Sequence, residues 1–374
     1  MAANDERFPV ITEAALAELR SKIGQRIARP VVWLTECNQD AIRHYAHGIG
    51  DDNPLWNDPE YGGGTRYGGS IAPPSILYAM SPMNAFQGLP GIHAMYAGSD
   101  WTWHKPMRAG DTIRNETYLK ELVERETRFS GRSIQQILHY DFFNQHGDKV
   151  AECEQWAFRT ERDTAREKGT KYKHFKSAKV YTDAEIDRIT EAYNNEYVRG
   201  KDTLYWEDVR LGQELPSILK GPMTITGFIS FVQGWGGIFI RAHKLAYKLF
   251  KSAPASAIRN DRNIPDVPER VHWEEALATR VGAPAPYDYG PERISWMSHI
   301  MTNWIGDDGW LYRLKANIRR HNPEGDLLTI TGRVTDLFER DGAGHVVVAL
   351  RAENQDGELS CEGQAEAILP RKPK

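Results

Sequence analysis

The stretch Arg43-His-Tyr-Ala-His-Gly-Ile-Gly-Asp-Asp-Asn-Pro-Leu-Trp56 places a carboxylate and an amide on a tight turn directly after an amphipathic helix. Ile42, Tyr45, Ala46 and Ile49 recur at helical spacing, so one face of that helix is apolar. Gly50, Asn53 and Pro54 then break it. Asp51 and Asn53 are left on the turn, where such side chains either satisfy backbone amides or meet a substrate. Trp56 closes the segment as a packing residue or a ligand contact.

Outward from this segment, the two halves of the chain echo each other. Asn144-Gln-His-Gly-Asp148 leads into Cys153-Glu-Gln-Trp-Ala157, and Asn354-Gln-Asp-Gly-Glu358 leads into Cys361-Glu-Gly-Gln-Ala365. Each reads as a strand, a turn and a second strand. His104-Lys-Pro-Met-Arg-Ala-Gly-Asp111 has a counterpart in His321-Asn-Pro-Glu-Gly-Asp326. The offsets, 210 residues from 144 to 354 and 215 from 111 to 326, are nearly equal, which points to a duplicated unit.

The expected organisation is a first unit over 1–165, a linker and helix over 166–200, and a second unit over 201–374 with an insertion around 236–266. Arg162 to Lys179 is rich in Lys, Arg and Gly and reads as a solvated linker. Thr182-Asp-Ala-Glu185 is a capping box, opening a helix whose face carries Ile186, Ile189, Tyr193 and Tyr197. Another helix is expected at Leu16, Leu19 and Ile23, and a helical stretch from Lys244 to Phe250 fills part of the insertion.

In the first half, Ser75 to Met80 reads as a longer helix with Pro73 and Pro74 at its entrance. In the second, Pro291 opens a buried helix with Ile294, Met297, Met301 and Trp304 three or four apart. Leu328, Ile330 and Val334 alternate with Thr329, Thr331 and Arg333, which marks a half-buried strand; 345–352 and 134–143 are others. The fold class is α+β. One long helix wrapped by an antiparallel sheet, occurring twice, is a double hotdog.

At 374 residues, with 40% hydrophobic and 26% charged residues, the chain is globular and long enough for two cores. A formal charge of -4 and a pI near 6.3 give no general attraction to nucleic acid or to an anionic membrane. Cys37, Cys153 and Cys361 are odd in number and widely spaced, which argues against a disulfide framework or a paired-cysteine zinc site and fits a reducing cytoplasm. No stretch approaches the ~18 apolar residues of a membrane span, and no leader is expected at the N-terminus.

The opening segment resembles the hydratase motif of the MaoC-like (R)-specific enoyl-CoA hydratases, Y-A-x-x-x-G-D-x-N-P-L-H, in which the Asp and the His share the acid and base work. Here Trp56 occupies the His position. Asp58-Pro-Glu-Tyr61, Thr65-Arg-Tyr-Gly-Gly69 and Ile71-Ala-Pro-Pro74 extend the likeness through the first half. In the second half, His272-Trp-Glu-Glu-Ala-Leu-Ala-Thr-Arg-Val-Gly282 followed by Tyr287-Asp-Tyr-Gly290 is similar to the family's H-x-D-x-x-x-A-x-x-x-G stretch and helix start. This register implies that His272 holds the catalytic His position and that the Gly290 amide faces the thioester oxygen.

Hydrating an α,β-unsaturated thioester needs a base for the attacking water, an acid for Cα and donors for the enolate oxygen. A helix N-terminus supplies such donors, because its N–H groups lack partners within the helix. Tyr287-Asp-Tyr-Gly290-Pro291 meets this need, whereas Pro73 and Pro74 have no N–H to offer. The second half therefore carries the expected reaction, but the motif's carboxylate is missing there. Asp266, six residues before His272, Asp288 beside Gly290, and Asp51 reaching across from the first half are the three candidates.

Asn53, Trp56, Tyr287 and Tyr289 are expected to line the substrate. Arg313 and Arg319, with Lys315, Arg320, Lys105 and Arg108, are candidates for the phosphates of coenzyme A. The resemblance implies reversible hydration of a 2-enoyl-CoA, with no metal and no cofactor beyond the CoA of the substrate. Homodimers of double hotdogs or hetero-oligomers are the expected assemblies. A non-catalytic thioester-binding partner subunit and a hotdog thioesterase are the alternatives. Ile305-Gly-Asp-Asp-Gly-Trp-Leu311 repeats part of the motif but follows a helix, so it reads as a helix stop.

Overall fold

The helix Gln39–Ile49 (α1) forms where its local signals are complete. Asn38 caps it by accepting the Ala41 amide, and Gly50 ends it in the left-handed region at φ 62°. Its buried face holds Ile42, Tyr45, Ala46 and Ile49. The computed structural model that supplies these coordinates describes residues 10–28, 30–83, 85–127, 131–161 and 179–373. The proposed linker at 162–178 lies outside them.

The second half contains a matching helix, Ile225–Trp235 (α3), capped by Thr224 and closed by Gly236 at φ 93°. The two helices lie directly against each other. A Cβ on Gly234 would fall 2.7 Å from the His44 carbonyl oxygen, and one on Gly48 would fall 3.0 Å from that of Ser230. Only hydrogen fits at these crossings, so the glycines set the distance between the halves.

Nine strands make one continuous sheet. In chain order they are β1 His93–Trp103, β2 Arg114–Thr127, β3 Gly131–Phe143, β4 Lys149–Thr160, β5 Ile218–Lys220, β6 Trp310–Ile318, β7 Leu328–Arg340, β8 Ala343–Asn354 and β9 Leu359–Leu369. The spatial order is β2-β3-β4-β1-β6-β9-β8-β7-β5. The halves join where β1 and β6 pair antiparallel, Thr102 opposite Arg313 and Gly98 opposite Asn317. This is the double hotdog, in which one chain reproduces the sheet pairing of two units. The alternation expected in β7 holds: Leu328, Ile330 and Val334 are buried while Thr329, Thr331 and Arg333 face outward.

The halves differ in the helix that the sheet wraps. In the second half, Gly290–Ile305 (α4) is sixteen residues long, has Pro291 in its first turn and is buried from Pro291 through Ile305. In the first half the longer helix expected after Pro73-Pro74 is a five-residue 3₁₀ turn, Pro74–Tyr78. Pro82 explains the difference. It lacks the N–H that would close on the Tyr78 carbonyl, and it disfavours a helical Ser81. The Ser81 hydroxyl bonds the Leu77 carbonyl instead, at 2.8 Å.

Asp183–Asn194 (α2) carries the expected capping box between Thr182 and Glu185. Only Ile189 of its apolar face is buried; Ile186 and Tyr193 are largely exposed. Glu13–Arg20 buries Leu16 and Leu19, while Ile23 falls beyond its end and is exposed. The insertion holds a helix, His243–Ser252, and a two-residue strand pair that sets Ile258 opposite Asp266. No helix among the described residues is long and apolar enough to cross a membrane.

Candidate active site

The turn after α1 leads into a buried polar cluster shared by both halves. Asp51 is 2% exposed, and its Oδ1 accepts the Asn53 amide at 3.1 Å. The Asn53 side chain accepts the Leu55 amide at 3.0 Å, which starts the short helix Pro54–Asn57. To this extent the motif residues are turn builders. However, Nε2 of His299, on α4 of the other half, lies 3.3 Å from Asp51 Oδ1 and 3.2 Å from Glu196 Oε1.

Asn303, one helical turn further on, brings Nδ2 to 3.0 Å from the same His299 nitrogen and to 3.2 Å from Glu196 Oε1. The other ring nitrogen of His299, Nδ1, is buried without a hydrogen-bond partner. Lys220, at the end of β5, donates to the Gly50 carbonyl at 2.8 Å. Burial lowers its pKa, against the opposing pull of Glu196, Asp51, Asp52 and Glu292. Burial raises Glu196, but the His299 hydrogen bond and the Lys220 charge outweigh it and hold the carboxyl below its usual range.

Asp51 thus does reach across to a histidine of the second half. That histidine is His299, not His272. A signal was present: His299 and Asn303 form an i, i+4 polar pair on a helix otherwise lined by Met297, Ile300, Met301 and Trp304. Trp56 is buried, its indole N–H has no acceptor among the described residues, and it lines a narrow pocket of about 30 Å³ together with Tyr67, Trp103, Met107, Thr302 and Trp310.

In the second half His272 stands 216 residues after Trp56, and Gly290 stands 216 after Pro74. His272 Nδ1 is 2.6 Å from the Tyr287 carbonyl oxygen. A carbonyl only accepts, so Nδ1 carries the proton and Nε2 the lone pair. The ring stacks on Tyr289 at 3.7 Å between centroids and meets Tyr287 edge-on at 4.7 Å. Burial pushes the imidazole down to about 4, which keeps it neutral at physiological pH.

Tyr289 caps α4, and Glu292 accepts its backbone N–H at 3.2 Å. Gly290 then opens the helix where a Cβ would strike the Tyr96 ring of β1 at 2.5 Å. The first half therefore presses an aromatic wall against the helix start. The Tyr289 hydroxyl is buried without a partner.

The expected carboxylates of this half are engaged elsewhere. Asp266 Oδ1 accepts the Val267 amide at 2.7 Å, and Oδ2 lies 3.5 Å from Arg270. Asp288 is fully buried: Arg293 Nε donates to Oδ2 at 2.8 Å, and Asn322 supplies its amide to Oδ1 and its side chain to Oδ2 at 3.1 and 2.7 Å. Both oxygens are occupied in fixing the start of α4. The carboxyl that the sequence reading missed is Glu269, which takes the amides of Ile238 and Phe239 after the α3 turn. Burial pushes it up to about 6, and its charge is among those that raise the Tyr289 hydroxyl.

The cations proposed for phosphate are paired. Arg313 grips Asp100 with two hydrogen bonds of 2.8 and 2.7 Å, and Lys315 lies 3.5 Å from the same carboxylate. Arg319 bonds Glu362 at 2.8 Å, Lys105 lies 2.9 Å from Asp148, Arg320 pairs with Glu358, and Arg108 donates to the Tyr67 carbonyl.

A double hotdog with the remnants of one motif divided between its halves defines the class of protein. Comparison with known proteins agrees. The family model for the FAS1-like dehydratase domain region matches residues 21–153. A protein of Parafrankia called UPF0336 is 31% identical over 130 residues, which is 31% of this chain and 79% of the relative. A UPF0336 protein of Streptomyces avermitilis is 31% identical over 85 residues, 21% of this chain and 57% of the relative. The chain thus spans little more than half of that second relative.

Among solved structures, a MaoC-like dehydratase superposes with a TM-score of 0.63 at 17% identity, over 94% of this chain and 99% of the other. A MaoC domain protein dehydratase from Chloroflexus aurantiacus gives 0.59 at 14%, over 94% and 96%. A Mycobacterium tuberculosis protein described as a double hotdog gives 0.54 at 10%, over 92% and 96%. The chain belongs to the family of the UPF0336 proteins, its residues 21–153 match the FAS1-like dehydratase domain region, and it shares the double-hotdog fold of the MaoC-like dehydratases.

Proposed function

We propose that the chain hydrates 2-enoyl-CoA thioesters and dehydrates the corresponding 3-hydroxyacyl-CoA, with the second half as the reacting side. The observation that carries this reading is the placement of His272, a neutral imidazole with its Nδ1 proton committed to Tyr287, stacked on the residue that precedes Gly290. Nε2 of His272 takes the proton of the water that attacks Cβ. The Gly290 amide, at the N-terminus of a buried sixteen-residue helix, stabilises the enolate oxygen.

Glu269 is assigned as the acid that delivers a proton to Cα, for which it must first release the Ile238 or Phe239 amide that each of its oxygens accepts. A carboxyl raised to about 6 keeps a useful fraction of its acid form near neutrality. The reaction needs no metal and no redox cofactor.

The test is loss of enoyl absorbance on a panel of 2-enoyl-CoAs, followed together with free thiol. Hydration without thiol release supports the reading, and His272→Asn is expected to lower kcat roughly ten- to a hundredfold. Thiol release would favour a thioesterase. A specific observation favours a second reading, a thioester-binding partner subunit: no half has both motif residues, since Trp56 follows Asp51 and Val267 stands five residues before His272. Turnover that appears only when a partner hydratase subunit is added would support that alternative.

A further inference from the structure

We propose that the hydroxyl of Tyr289 is a further catalytic group, which holds the water that attacks Cβ beside Nε2 of His272. In the reverse direction it holds the 3-hydroxyl of the substrate. The inference rests on the hydratase reading above and adds the group that recognises the hydroxyl.

Three observations carry this. First, Tyr289 is 3% exposed, and its hydroxyl has no hydrogen-bond partner among the described residues. Leaving a buried hydroxyl unpaired is unfavourable, and a phenyl ring would fill the same space without that penalty. The oxygen therefore adds nothing to the packing. Second, the ring is enclosed by aromatic neighbours: Trp235 edge-on at 5.1 Å, Phe231 at 5.6 Å and His272 stacked at 3.7 Å between centroids. Because Nδ1 of His272 is tied to the Tyr287 carbonyl, Nε2 is the ring atom left to meet a reactant. The phenol oxygen and that nitrogen are carried on stacked rings, where one water can bond both. Third, the group is fixed in place. Glu292 accepts the Tyr289 amide at 3.2 Å, and the next residue is Gly290, so one turn of chain positions the phenol, the stacked imidazole and the helix amide together. Burial pushes the phenol far above its ordinary pKa, so it stays neutral throughout the reaction.

In hydration the water donates one hydrogen to Nε2 and the other to the phenol oxygen, which leaves a lone pair directed at Cβ. As the O–Cβ bond forms, the first proton passes to Nε2 and the π electrons of the Cα–Cβ double bond move into the enolate. Cα takes its proton from Glu269, and the enolate pair forms the C–H bond. The proton on His272 returns through solvent to Glu269, so one water has been added and both groups are restored. Tyr289 neither gains nor loses a proton, and the new 3-hydroxyl remains bonded to it.

The experiment compares the full chain with its Tyr289→Phe variant, which loses the hydroxyl and keeps the ring stacked on His272, in both directions of the reaction. With a 2-enoyl-CoA, which has no 3-hydroxyl, kcat is expected to fall roughly tenfold or more while KM is unchanged. With the 3-hydroxyacyl-CoA the same factor should appear as a raised KM at unchanged kcat, because that contact is already made in the bound substrate. The equilibrium constant requires both kcat/KM values to fall together. The urea unfolding midpoint should hold or rise, since no bond within the protein is lost. A structural role for the hydroxyl would lower the midpoint and leave the kinetics of the folded protein as they were. The proposal is overturned if Tyr289→Phe keeps wild-type kinetics in both directions, if the midpoint falls, or if KM rises equally for the two substrates. A wild-type chain inert in both directions overturns the hydratase reading itself, and this proposal with it.

Discussion

At positions 216 residues apart, the first half carries Asp51, Trp56 and Pro74, and the second carries Val267, His272 and Gly290. One half kept the carboxylate and lost the imidazole and the helix amide. The other kept the imidazole and the amide and lost the carboxylate. Two residues outside the motif stand beside what remains of it: His299 faces Asp51 from the opposite half, and Glu269 lies close to the helix start that His272 packs against. Duplication lets a site be dismantled in two different ways, because packing around each half imposes different demands.

The largest expected effect breaks the geometry that joins the halves. Gly234→Leu would force a side chain into the His44 and Tyr45 backbone, where a Cβ alone would come within 2.7 Å. Ordinary overpacking costs about 1–3 kcal/mol; here a whole side chain meets rigid backbone of the opposite half, so the urea unfolding midpoint should fall further than for any variant below. Next comes Arg293→Met, which leaves Asp288 buried without its cation. The expected loss is about 3–5 kcal/mol by the same measurement, and it would also loosen the start of α4 in the half that carries His272.

A third effect depends on pH. His272 has a folded pKa of about 4 against 6.5 when exposed. Above pH 6.5 both states are neutral and the group contributes no difference. As pH falls below 6.5 the unfolded chain takes up the proton while the folded chain does not, so stability is lost progressively until pH 4. The loss is at most roughly 3 kcal/mol, reduced by the partial exposure of the ring. His272→Asn should show a flatter decline over that window in unfolding titrations. If His272 is the base, the acidic limb of kcat/KM in the wild type should lie near 4 and not near 6.5. The smallest effect belongs to the surface. Arg313→Ala removes an exposed pair with Asp100 and should cost under about 1 kcal/mol. An unchanged KM for acyl-CoA would confirm that Arg313 serves Asp100 and not a phosphate.

Much of the fold was legible because its signals are local. Asn38, Gly50, the Thr182 capping box and the β7 alternation each act over a few residues, and the repeated turns disclosed the duplication. The first-half helix was misread because the apolar run after Pro73-Pro74 resembles a helix until Pro82 ends it. The site was legible only in part. The motif alone names Asp51, His272 and Gly290, whereas the engagement of Asp288 by Arg293 and Asn322, and of Arg313 by Asp100, depends on which elements the sheet brings together. His299 and Glu269 lie outside the motif, and their importance arises from contacts that no local pattern encodes.

The most direct measurement is hydration of a 2-enoyl-CoA by the purified chain without added partner, wild type beside His272→Asn, with enoyl absorbance and free thiol read together. The expected result is enoyl loss without thiol release in the wild type and a roughly ten- to a hundredfold lower kcat in the variant. Equal turnover by the two proteins, or none by the wild type, would contradict the assignment of the reaction to His272.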